Sequence, residues 1–202
     1  MKLYSNETGA NCRRVAIFLA EKGLSIETVY MSLSSGELKS PEFRKINPAG
    51  LVPVLELSDG THIPESTAII EYLEERFPTP CLIGKTEEQR ARVRAVERIA
   101  SDLGVLTIAA AQHSHPMFAT RLTQVPAVAA ALQLSIDLHL QALQAHMGTS
   151  PFLTGDEVTV ADIVLYPLFY TCRERLKTPF ADGFPPLLDW YARFGVRPSA
   201  RP

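Results

Sequence analysis

Glu65 and Ser66 stand side by side at the start of an apolar helical run, a place where an amino-acid head group can be held. The free amides that open a helix and the positive end of its dipole attract a carboxylate. Ser66 fits the cap of a helix running from Thr67 to Arg76, and Glu65 beside it offers an acceptor for an ammonium group. Read blandly, Ser66 only caps and Glu65 only offsets the dipole. Upstream, Val52-Pro53 enters a strand. Proline cannot donate to a ladder there, and a cis bond would turn the backbone of Val52 outward to pair with a peptide. The combination points to a small peptide ligand. Cys12 is a second centre of possible chemistry. At a helix start followed by Arg13 and Arg14, its thiolate would be favoured and could exchange with a disulfide. Packed against a sheet, the same residue is a small hydrophobe, and no second cysteine stands at Cys-x-x-Cys spacing.

The elements that must position these residues follow from pattern. Asp59-Gly60 between two short β-rich runs is a hairpin signal. Met1 to Ser5 reads as a strand, Cys12 to Lys22 as a helix closed by Gly23, and Ile26 to Met31 as a second strand. Strand, helix and strand in this order form a βαβ unit with parallel strands. With the hairpin and the helix after Ser66, the expected fold is a thioredoxin-like α/β domain with its site at strand ends and helix starts. Ser34 to Phe43 is polar and turn-rich, a surface loop with a short helix after Pro41.

Phe77-Pro78-Thr79-Pro80 ends this pattern, and the rest is helical in period. We divide the chain into residues 1–77, a linker 78–86 and an all-α domain 87–202. Two long helices are expected, from Glu87 to about Gln112 and from about Ala127 to Met147. The arginines of the first are balanced by Glu87, Glu88 and Glu97, so they read as a solvated or subunit-facing surface. Between the helices lie His113, His115, Met117 and Phe118. His-x-His alone is not a metal site, because no carboxylate or cysteine cluster completes it. Val158-Thr159-Val160-Ala161-Asp162-Ile163 is a capping box with Asp in place of Glu, leading into a helix that is apolar nearly all round and carries Pro167 and Cys172.

Composition sets outer bounds. The chain has 202 residues, 46% hydrophobic and 21% charged, as in ordinary globular proteins. A net charge of −2 gives no basic surface for nucleic acid or an anionic membrane. No run spans a bilayer, no early apolar region marks a leader, and three scattered cysteines form neither a disulfide framework nor a zinc spacing. A cytoplasmic protein is expected.

Asn47-Pro48-Ala49-Gly50-Leu51-Val52-Pro53-Val54-Leu55 followed by Glu65-Ser66 resembles the glutathione-binding half of cytosolic glutathione transferases. Lys2-Leu3-Tyr4-Ser5 and the segment from Leu153 to Asp162 extend the resemblance over nearly the whole chain. It implies a cis Pro53, pairing of the Val52 backbone with the cysteinyl unit of glutathione, and a γ-glutamyl end held by Glu65 and Ser66. It further implies that Lys39 reaches the glycine carboxylate and that His113, His115 and Phe118 lie toward a small hydrophobic electrophile. The implied assembly is a homodimer, and the implied activity is conjugation of glutathione, with no metal. In the family a loop residue before the first helix, commonly Tyr, Ser or Cys, engages the sulfur. Tyr4 lies in the strand, and Gly9 stands where the serine-using classes carry serine. Thr8, Asn11 and Cys12 remain, with Asn11 and Cys12 at the helix start. Lys2-Leu3-Tyr4-Ser5 with Gly9-Ala10-Asn11 is similar to the opening of bacterial β-aryl ether-cleaving glutathione transferases, which carry serine at the Cys12 position. Two other readings stand beside conjugation: thiol, disulfide or peroxide reduction through Cys12, and a non-catalytic binding or scaffold protein.

Overall fold

Strand β1 (Lys2–Ser5) lies inside a four-stranded sheet of order β2-β1-β3-β4. It pairs parallel with β2 (Glu27–Tyr30) and antiparallel with β3 (Val54–Glu56), which pairs antiparallel with β4 (His62–Pro64). The computed structural model describes residues 1–201, which form two compact units. One comprises residues 1–82 with residues 197–201, and the other Ile83–Val196.

In the first unit the expected βαβ and hairpin are present. The turn between β3 and β4 closes as Leu57 donates to the Thr61 carbonyl at 2.8 Å, with the Asp59 carboxylate accepting from the Thr61 amide at 2.9 Å. Helix α1 (Ala10–Lys22) begins two residues earlier than the pattern predicts, since Gly9 occupies the cap in extended conformation without a side-chain bond. The reason lies upstream: the Asn6 carboxamide oxygen accepts from the amides of Thr8 and Gly9, organising the turn so that the helix can begin at Ala10. Helix α2 (Pro41–Ile46) follows Ser40, whose hydroxyl caps it by accepting from the Phe43 amide. Helix α3 (Ser66–Arg76) corrects the expected cap. Ser66 is already helical, and Glu65 holds the cap position at φ 71°.

Leu3, Val15, Phe18, Leu55, Ile69 and Leu73 form the core of this unit. The C-terminal residues are clipped to α1. Arg197 forks onto the Glu21 carboxylate at 2.7 and 2.8 Å, Ser199 donates to it, and Arg13 donates to the Ala200 carbonyl at 2.9 Å.

The second unit is helical: α4 (Glu87–Ser114), α5 (Pro126–Met147), α6 (Val160–Tyr170) and α7 (Pro185–Gly195). Helix α4 opens on a Thr86 and Gln89 capping box that the sequence reading leaves unnoticed. The Asp162 capping box is present, its Oδ2 accepting from the Thr159 amide at 3.0 Å. Asp162 does more than cap. Its Oδ1 also accepts from the Leu153 amide and from the indole of Trp190, at 2.9 and 2.8 Å, at the centre of the unit. Around it Phe169, Phe180, Trp190 and Phe194 pack ring on ring. Among the described residues, no helix is long and apolar enough to cross a membrane, and no cluster of ligating side chains is placed to hold a metal.

Candidate functional site

A cleft of about 90 Å³ in the first unit is lined by Asn11, Asn47, Leu51, Val52, Pro53, Glu65 and Ser66. Five of the residues singled out by sequence therefore meet: Asn11 from the start of α1, Val52 and Pro53 from the entrance to β3, and Glu65 and Ser66 from the start of α3. Such a cleft is well below the roughly 300–1,000 Å³ of a complete small-molecule site. It suits the anchor end of an extended ligand rather than a whole tripeptide.

Each wall has a local cause. Val52-Pro53 is cis, and Val52 stands outside both sheet ladders. The approach to it is fixed by Asn47, whose side chain donates to the Leu51 carbonyl at 2.8 Å and accepts from the Ala49 amide at 3.1 Å. Gly50, at φ 63°, lies so close to the Leu38 carbonyl that a Cβ would sit 2.6 Å from that oxygen. A side chain is excluded there on two counts, conformation and space. The sequence reading quotes Asn47 as part of a motif but does not place it in the site. Its signal is the Asn-Pro-x-Gly turn, in which an Asn side chain ties its own backbone.

On the opposite side, Glu65 lines the cleft with its backbone at φ 71°, at the position just before α3 begins. Ser66 is 3% exposed and lines the cleft, and its hydroxyl has no hydrogen-bond partner among the described residues. The first intrahelical bond at this end runs from the Ile69 amide to the Glu65 carbonyl, so the amides before Ile69 lack helical partners. A cluster of unpaired donors at a helix start beside a carboxylate acceptor is the arrangement that holds a zwitterionic head group.

Asn6 is the second residue that sequence reasoning missed. Its oxygen accepts from Thr8 and Gly9, and its amide donates to the Met31 carbonyl at 2.7 Å, so the loop before α1 is tied at both ends. Thr8 turns its hydroxyl to the same Asn6 oxygen at 2.8 Å, away from the role of a thiol partner. Tyr4 is likewise occupied, its hydroxyl donating to Glu56 at 2.7 Å. That bond and partial burial push the phenol up to about 12.

Asn11 and Cys12 part company. Asn11 is exposed and faces the cleft, whereas Cys12 is 2% exposed and does not line it. Burial pushes the Cys12 thiol up, against the pull of hydrogen bonds involving Ser5 and the Asn6 backbone. A raised, covered thiol is the reverse of the activated thiolate that its neighbouring arginines suggest. Cys172 is buried too, its thiol pushed up to about 12.

Lys39 ends a one-turn helix (Glu37–Lys39), is exposed, and does not line the cleft. His113, His115 and Phe118 belong to the helical unit, where the ring nitrogens serve local structure. His113 Nδ1 accepts from the Val125 amide at 3.2 Å. His115 Nδ1 accepts from the Met117 amide, so its Nε2 carries the proton and donates to the Leu176 carbonyl at 2.9 Å.

Residues 3–81 match the model of the glutathione S-transferase N-terminal domain, and residues 126–193 match that of the C-terminal domain. Glutathione S-transferase 2 of Saccharomyces cerevisiae is 33% identical over 208 residues, covering 100% of this chain and 88% of its own. The maleylacetoacetate isomerase of Pseudomonas aeruginosa is 32% identical over 173 residues, covering 84% of this chain and 80% of its own. Among solved structures, a glutathione S-transferase domain-containing protein of Marinobacter aquaeolei VT8 superposes with a TM-score of 0.83 at 34% identity, covering 98% of this chain and 99% of the other.

Proposed function

The chain belongs to the glutathione S-transferase family, and on that footing we propose that it binds glutathione in the cleft and joins its thiolate to a small hydrophobic electrophile. The observation that carries this reading is the convergence of Asn11, Val52, Glu65 and Ser66 on one cleft beside the opening amides of α3. Ser66 and the amides take the γ-glutamyl carboxylate, and Glu65 takes its ammonium. The backbone of Val52 pairs with the cysteinyl unit, and Lys39 meets the glycine carboxylate from the neighbouring loop. We further propose a cytoplasmic homodimer, its self-association supported by the exposed Val105, Leu134 and Leu138 on α4 and α5.

Asn11 is the residue we assign to the sulfur. A free thiol of pKa about 8.5 is only a few per cent ionised at neutral pH. Lowering that value to about 6.5 takes roughly 2.7 kcal/mol. One hydrogen bond from the Asn11 amide to the thiolate, added to the dipole of α1, is of this size. The bound electrophile then supplies proximity.

A second reading is favoured by the isomerase among the relatives. The same thiolate adds to a conjugated double bond, the resulting single bond rotates, and the thiolate leaves, returning glutathione unchanged. Reduction through Cys12 loses ground because that thiol is covered and raised.

Calorimetric titration with glutathione, followed by conjugation of a generic aryl halide by the natural chain and by Cys12→Ala, tests the proposal. Binding and conjugation by both forms are expected. Tight binding without conjugation by either would remove the transferase, and a conjugated alkene isomerised without loss of glutathione would favour the isomerase. Failure to bind glutathione would overturn the site.

A further inference from the structure

We propose that the helical unit carries a second ligand site, built for a small cationic amphiphile with an apolar body and an ammonium head. It shares no residue with the cleft and requires no bound glutathione.

A cavity of about 530 Å³ is bounded by α4, α5 and the segment 178–184. That is the size of a small-molecule site. Ile136 and Leu140 of α5 and Phe180 and Phe184 of the segment give it apolar walls. Thr107 of α4 also lines it, 7% exposed, and its hydroxyl finds no partner in the protein. A buried hydroxyl left unbonded is uncommon enough to need a reason, and a ligand that supplies a polar atom is one.

The covering segment is itself strained. Ala181 lines the cavity at φ 64°, a conformation that L-residues with a Cβ avoid. It is held there as the Phe184 amide donates to the Ala181 carbonyl at 2.9 Å, while Arg173 grips the Phe180 carbonyl at 2.7 Å. Strain of this kind gathers where a segment is shaped around a ligand.

Charge selects the ligand. No lysine, arginine or histidine lines the cavity, while two carboxylates do. Asp182 is already paired with Arg173. Asp137 is not: its partner is the neutral amide of Gln133 at 2.9 Å, and it has no ion pair among the described residues. One uncompensated anion above apolar walls favours a cation over a neutral or anionic molecule of the same shape. A primary ammonium, charged at neutral pH, meets that requirement.

The chain's single tryptophan makes the test direct. Phe180 of the cavity wall packs edge-on against Phe169 at 5.0 Å, and Phe169 against Trp190 at 5.4 Å. Titration of the full chain with 4-phenylbutylamine, 4-phenylbutanol and 4-phenylbutyrate, followed by Trp190 fluorescence and by calorimetry, is the experiment. The amine is expected to bind saturably and more tightly than the alcohol, with the acid weakest. Asp137→Asn should weaken the amine about tenfold or more while leaving the alcohol and glutathione unchanged, which separates failure here from failure of the cleft. No saturable binding of the amine, equal affinity for amine and acid, or an amine indifferent to Asp137→Asn would each overturn the site.

Discussion

Lys22 of α1 and Glu74 of α3 meet 2.6 Å apart with side chains 0% and 3% exposed. The contact is short but not aligned as a hydrogen bond at Glu74 Oε2, so its attraction is coulombic. The aligned bonds go elsewhere: Lys22 donates to the carbonyls of Phe77 and Pro80, and Glu74 accepts from the Leu82 amide at 3.0 Å. The pair thus anchors the segment that leaves α3. Removing one member strands a buried charge. Lys22→Met should cost about 3–5 kcal/mol in denaturant unfolding, and adding Glu74→Leu should restore much of it. A single-mutant loss below about 1 kcal/mol would mean that water reaches the pair.

Tyr4 is predicted to be silent in the chemistry. Its proton points at Glu56, and a phenol raised to about 12 stays neutral throughout the working range. Tyr4→Phe should leave kcat/KM for conjugation within about twofold, since it removes no interaction made in the transition state. A fall of tenfold or more would move the sulfur contact from Asn11 to the strand.

Asn11 is predicted to set the ionisation of bound glutathione. Asn11→Ala should lower kcat by about tenfold to a hundredfold, the range for losing one hydrogen bond to a charged group. The acidic limb of the kcat profile should move upward by about one to two pH units. Cys12→Ala should leave that limb in place. A profile that stays fixed in Asn11→Ala and moves in Cys12→Ala would reverse the assignment.

Glu21 should give the first unit an acid-sensitive clip. Burial raises its carboxyl, but the Arg197 fork and the Ser199 hydroxyl outweigh that and hold it below the ordinary 4.5. A carboxyl lowered by folding contributes stability above its unfolded value and loses it as pH falls through its folded value. Unfolding midpoints measured from about pH 6 down to 3 should therefore drop more steeply for the natural chain than for Glu21→Gln. Parallel curves would show that the clip is solvated.

What could be read in advance was whatever local pattern dictates. The hairpin at Asp59-Gly60 and the capping box at Asp162 each rest on short-range rules that the folded chain obeys, and Val52, Glu65 and Ser66, marked by their motif, line one cleft. Local pattern misleads where a distant partner decides. Serine favours a cap, yet the left-handed turn at Glu65 starts the helix one residue earlier, at Ser66 itself. Arg13 and Arg14 suggested an activated Cys12, but sequence carries no measure of how deeply the thiol is covered. The Lys22 and Glu74 pair joins residues on different helices, and nothing in their types foretells burial. Asn6 and Asn47 act through backbone groups, which a list of chemically active side chains does not reveal.

The missing side chain at Gly50 also divides the cleft's surroundings into what can and cannot change. With a Cβ excluded at 2.6 Å from the Leu38 carbonyl, the turn leading to Val52 and the backbone just ahead of Lys39 form a single jaw that has no give. Gly36, in contrast, has open space around it, and Ser32 to Gly36 are exposed. A change of length or charge in that outer stretch meets no comparable backbone contact. Residues 32–36 can therefore vary without meeting the Gly50 contact, whereas a side chain at position 50 would have to displace the Leu38 carbonyl.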